Sequence, residues 1–88
     1  MNVERSLSDL HIAQGEAELA HSEAKVTRDM VRVNEARFSE GRIGPKEMED
    51  SQSLLWQKEL ALLQGDQILF QRQLELLRAA GQISSALQ

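Results

Sequence analysis

Apolar residues recur at seven-residue intervals through nearly all of this sequence, and the recurrence is interrupted once. In the first half one row holds Val3, Leu10, Ala17, Ala24, Val31 and Phe38, and a row three positions on holds Ser6, Ala13, Ala20, Thr27 and Asn34. Paired rows of this kind form the seam of a coiled coil, here with small residues along one side. In the second half Met48, Leu55, Leu62, Leu69, Leu76 and Ile83 form a wholly apolar row. The interruption is RFSEGRIGPKEMED at 37–50, which contains the only proline, Pro45, together with Gly41 and Gly44. The spacing predicts a helix over about 6–40, a turn at 41–44, a second helix over about 45–80 and a ragged end at 82–88.

Local signals set these bounds. Ser6 followed by Asp9 resembles a weak capping box for the first helix. Gly44 suits the N-cap of the second, Pro45 its first helical position, and Glu47, Glu49 and Asp50 put negative charge where free N–H groups and the macrodipole favour it. Gly81 is a natural residue to come after the last helical turn. Two long helices joined by so short a turn make an antiparallel hairpin whose arms are roughly 50–60 Å long. With the turn centred near Ile43, facing residues have numbers summing to about 86, so that Val31 meets Leu55, Ala24 meets Leu62 and Ala17 meets Leu69.

Each half carries a further stripe. Ile12, Leu19, Val26 and Val33 form a separate row in the first helix, about 160° around it from the first row. Trp56, Leu63, Phe70 and Leu77 form one in the second, with Leu60 and Leu74 beside them. A two-helix hairpin hides one stripe per helix. It therefore leaves in water the Ile12 row and either the Trp56 row or the Met48 row. Each large side chain left exposed forfeits roughly 1.5–3 kcal/mol, so eight of them forgo more than ~12 kcal/mol, above the net stability of many domains. The fold expected is all-α: an antiparallel two-helix coiled-coil hairpin that completes its core by oligomerisation or within a larger α-helical barrel.

Composition excludes several functions. In 88 residues, 14 acids outweigh 10 bases, which does not suit a nucleic-acid surface. Without cysteine there is no disulfide and no thiolate metal site. The longest apolar runs fall far short of the roughly 20 residues that span a bilayer, and no signal-peptide pattern opens the sequence. His11 and His21 are ten residues apart on polar positions, with no ligand at i+3 or i+4, and read as solvated surface. No nucleophile–base pair, phosphate-binding loop or catalytic carboxylate pair can be assembled, so no enzyme activity, metal or other cofactor is expected.

The turn and the second helix resemble a known family. Arg37, Phe38 and Gly41, then Ile43, then Glu47, Met48, Asp50 and Gln52, and finally QLELLRAAG at 73–81 are similar to the outer-membrane efflux proteins, the TolC-like channels. The likeness covers residues 36–83, and the sequence departs from the family pattern at Gly44, Pro45 and Ser51. In that family the helix-turn-helix is the periplasmic end of an α-helical barrel and docks on the hairpin of a periplasmic adaptor (membrane-fusion) protein. The resemblance implies an adaptor-docking tip at Arg37, Gly41, Arg42, Ile43, Gly44, Pro45 and Glu47. The uncovered stripes, Ile12, Leu19, Val26 and Val33 with Trp56, Leu63, Phe70 and Leu77, are the residues expected from their spacing to pack against neighbouring helices. The partners expected are that adaptor and further copies in a homo-oligomer, with no nucleic acid, and with the membrane reached only through parts of a parent protein outside this sequence. The location implied is the periplasmic portion of a bacterial outer-membrane protein, the piece itself being soluble. The alternative is a free-standing coiled-coil hairpin, a structural or regulatory protein-interaction module that dimerises into a four-helix bundle.

Overall fold

The computed structural model describes residues 3–87, with side chains described as far as Gln82. It consists of two helices, α1 (Val3–Ser39) and α2 (Pro45–Leu87), folded against each other into a rod of 70 × 14 × 14 Å. The all-α hairpin expected from the spacing is therefore the observed fold. The two arms run antiparallel: Asn34 meets Ser51, Arg28 meets Glu59 and His21 meets Asp66, each pair within one of a constant sum of 86. The register anticipated from the turn is thus the register found. Lys58 is offset from it, its long side chain reaching back to Glu23 at 3.3 Å.

The seam is made of large residues from α2 entering a groove of small ones on α1. Leu10, Ala13, Ala17, Ala24, Thr27 and Val31 are buried on α1, facing a row in which Met48 is buried and Leu55, Leu62, Leu69 and Leu76 are half-buried. Of the two rows on α2, Met48 through Leu76 is therefore the one that the hairpin covers, and the Trp56 row is the one left outside. Thr27 satisfies its hydroxyl by donating to the Glu23 carbonyl at 2.8 Å, so its burial leaves no orphaned polar group. Among the described residues no large side chain is fully buried.

The other inward row of α2 carries no regular apolar pattern. It holds Ser51, Lys58, Gly65, Arg72 and Ala79, of which only Ala79 is buried. Gly65 marks a close approach of the helices: a Cβ placed there would stand 3.6 Å from the Ala17 Cα and 3.9 Å from the Ala20 Cβ. The amide of Asn34 donates to the Ser51 hydroxyl at 3.0 Å nearer the turn. Small and polar groups therefore set the spacing and register on this side of the seam, while leucines supply the burial on the other.

The helix ends differ from the expectation at two places. α1 is already helical at Val3, so Ser6 lies inside it, buried against α2, and is not its N-cap. α2 continues through Gly81 to Leu87, which corrects both the stop at Ala80 and the ragged end at 82–88; Gln88 lies outside the described residues. The reason is one of magnitude. A glycine costs about 1 kcal/mol relative to alanine in a helix, and without a proline after it that cost alone does not end a helix of this length.

The spacing at Gly65 gives a test of the seam. Gly65→Ala places its methyl at ordinary contact distance and is expected to raise stability by up to about 1 kcal/mol through helix propensity. Gly65→Leu must push α1 away and is expected to cost about 1–3 kcal/mol. Thermal unfolding followed by circular dichroism at fixed chain concentration measures both.

Candidate functional site

The tip holds its own shape through backbone bonds. Gly41 has φ of 73°, the left-handed conformation that side-chain-bearing residues resist. Its N–H donates to the Phe38 carbonyl at 3.0 Å, and the N–H of Arg42 donates to the Arg37 carbonyl at 2.7 Å. This pair of bonds is a Schellman closure, which satisfies carbonyls that the end of α1 would otherwise leave open. On the far side the Met48 N–H donates to the Gly44 carbonyl at 3.2 Å. Gly44 is therefore the N-cap of α2 and Pro45 its first helical residue, as their identities indicated.

Because backbone atoms close the turn, most tip side chains are left over. Arg37, Arg42, Pro45, Lys46 and Glu47 are exposed, while Ile43 is half-buried and so less prominent than an exposed apolar knob would be. The Arg42 guanidinium folds back onto the Glu40 carboxylate. Arg37 makes no ion pair among the described residues and instead borders an open, mainly apolar groove along α1 with Val26, Met30 and Val33. The tip thus brings together Arg37, Gly41, Arg42, Ile43, Gly44, Pro45 and Glu47 within one short segment.

The stripes expected to need neighbours are uncovered. Ile12, Leu19, Val26 and Val33 are 50–60% exposed, and Trp56, Leu63, Phe70 and Leu77 are 59–76% exposed. They lie on opposite flanks of the rod. Ile12 shares one flank with Ile68 of α2, around a shallow depression that Glu16 and Arg72 also line. Trp56 and Leu63 stand three residues before Glu59 and Asp66, which places them beside the other flank, where polar side chains bridge the two helices. There His21 Nε2 approaches both Asp66 carboxylate oxygens at 2.9 and 3.1 Å, and Arg28 stands 3.7 Å from Glu59.

These cross-helix pairs were not singled out by residue pattern. His21 has no carboxylate at helical spacing ahead of it, and Asp66 lies 45 positions away. The signal that finds the pair is the register: with facing numbers summing to about 86, His21 falls opposite Asp66 and Arg28 opposite Glu59. Among the described residues no three His, Cys, Asp or Glu side chains stand together in a way that could hold a metal ion. No helix among them is long and apolar enough to cross a membrane.

The closure of the turn implies unequal sensitivity within it. Gly41→Ala is expected to cost about 1–2 kcal/mol because it forces a Cβ into the left-handed region. Glu40→Ala, which removes one partner of an exposed ion pair, is expected to change stability by under about 1 kcal/mol. Chemical unfolding of the two variants beside the parent chain compares them directly. Comparison with protein-family models, with curated proteins and with solved structures gave no match to the chain.

Proposed function

We propose that this hairpin is the periplasmic tip segment of a TolC-like outer-membrane efflux channel, a non-catalytic part that docks a periplasmic adaptor hairpin and frames the channel entrance. The observation that carries this reading is the pairing of two opposed, uncovered apolar flanks with a self-closed, exposed tip. A hairpin standing in a wall of helices needs a neighbour on either side and an end free for docking, and Ile12–Val33, Trp56–Leu77 and Arg37–Glu47 supply these. The resemblance of Arg37, Phe38, Gly41, Ile43, Glu47, Met48, Asp50 and Gln52 to the family pattern supports the same reading. In it the α1 and α2 outer rows meet adjoining helices of the wall, and Arg37, Lys46 and Glu47 offer charge-assisted hydrogen bonds to the adaptor around the Gly41–Gly44 backbone.

The alternative, a free-standing interaction module, shares the fold and differs in having no adaptor to meet at the tip. Ile43→Glu distinguishes them. Mixed with a purified periplasmic adaptor hairpin, the parent chain is expected to bind, and the variant at least tenfold more weakly, with helicity retained by circular dichroism. Absence of binding by the folded parent chain overturns the docking role and leaves the module reading.

A further inference from the structure

The outer face of α2 is more than an exposed row. Trp56, Leu63, Phe70 and Leu77 alternate with Leu60, Gln67 and Leu74 in strict four-three spacing, which is the pattern of a complete coiled-coil seam with one polar position near its middle. α1 has no counterpart. The positions that would complete a seam with its Ile12, Leu19, Val26 and Val33 row are Glu16, Glu23, Met30 and Arg37 on one side, or Gly15, Ser22, Asp29 and Ala36 on the other. Only Met30 among these is a large apolar residue. A helix face built to the four-three rule fits another helix with the same rule, and α2 alone holds such a face, exposed at Trp56, Leu60, Leu63, Gln67, Phe70 and Leu77 and half-buried at Leu74.

We infer that, where no wall of helices covers this seam, α2 of one chain pairs with α2 of a second copy through it, so that the chain by itself is a dimer joined along Trp56–Leu77. Three observations fix the occupant. The exposed parts of Trp56, Leu60, Leu63, Phe70 and Leu77 amount to on the order of 600 Å², close to the ~800 Å² per partner of a standard interface once the bordering residues are added. The residues bordering the seam on one side are Gln57, Gln64, Gln71 and Arg78, so that this border carries a single charge, at its far end, to oppose a second copy. On the other side stand Glu59 and Asp66, whose carboxylates are already engaged by Arg28 and His21 of the same chain. A surface whose bordering acids are already held by side chains of the same chain accepts its own duplicate, and Gln67 gives the pairing a polar position that can set its alignment. The pairing does not depend on the tip, because it uses the side of the rod and not its end.

Trp56 is the sole tryptophan, so it reports on the seam directly. Sedimentation equilibrium of the full chain at micromolar concentration is expected to give a dimer, with Trp56 emission shifting to the red as dilution separates the copies. Leu63→Glu with Phe70→Glu is expected to weaken association roughly 100-fold or more while helicity is kept. Leu19→Glu with Val26→Glu on α1 is expected to leave it within about threefold. Gln67→Leu, which keeps the helix and adds apolar surface, should tighten association and guards against a folding defect in the acidic variant. A helical monomer with concentration-independent, water-like Trp56 emission overturns the inference. So does a dimer that survives the α2 substitutions and is lost with those on α1. Ile43→Glu should not move the dimer constant, which separates this result from any failure of adaptor docking.

Discussion

Everything in this molecule depends on how closely two helices approach along a seam of unequal partners. Leu55, Leu62 and Leu69 reach across from α2 because α1 presents Ala13, Ala17, Ala20 and Ala24 there, and because Gly65 removes a side chain from between the backbones. Small residues forgo burial of their own but let larger neighbours bury more, and the narrow separation brings side chains at the edges within bonding reach. His21 and Asp66, Arg28 and Glu59, and Lys58 and Glu23 close the edges that this approach creates. These edge contacts are half-exposed, so they set alignment more than they add stability.

A seam so narrow has a cost elsewhere. Large apolar residues that do not fit a groove of alanines must face outward, and they do so on both flanks. The rod is therefore sided: it has an aliphatic face on α1, an aromatic-containing face on α2, and a charged end. That division separates surfaces that can meet different partners without competing. It also explains why no large side chain among the described residues is fully covered in the single chain.

Much of this was written in the sequence, and the exceptions are instructive. The heptad rows named the seam residues of α1 and left two candidate rows on α2, of which the fold covers Met48–Leu76, and Gly44–Pro45 named the start of α2, because each rests on spacing or on a residue with one dominant backbone preference. What spacing could not show was the second inward row of α2. Ser51, Lys58, Gly65 and Arg72 have no common chemistry, and only the geometry of the approach makes them neighbours of α1. The continuation of α2 past Gly81 was likewise hidden, since glycine weakens a helix by a modest amount and ends one only when the surroundings agree. At the tip the spacing could not show that Ile43 is half-buried while the residues around it are exposed.

The Schellman closure at Gly41 separates the geometry of the bend from the identity of most residues on it. Main-chain atoms of Arg37, Phe38, Gly41 and Arg42 make the reversal, and their side chains other than the missing one of Gly41 are not needed for it. Such a bend can be rewritten at Arg42, Ile43, Lys46 and Glu47 while the rod behind it stays the same. Evolution, or a designer grafting a peptide epitope, would find there a rigid stalk whose message can be changed without rebuilding the stalk.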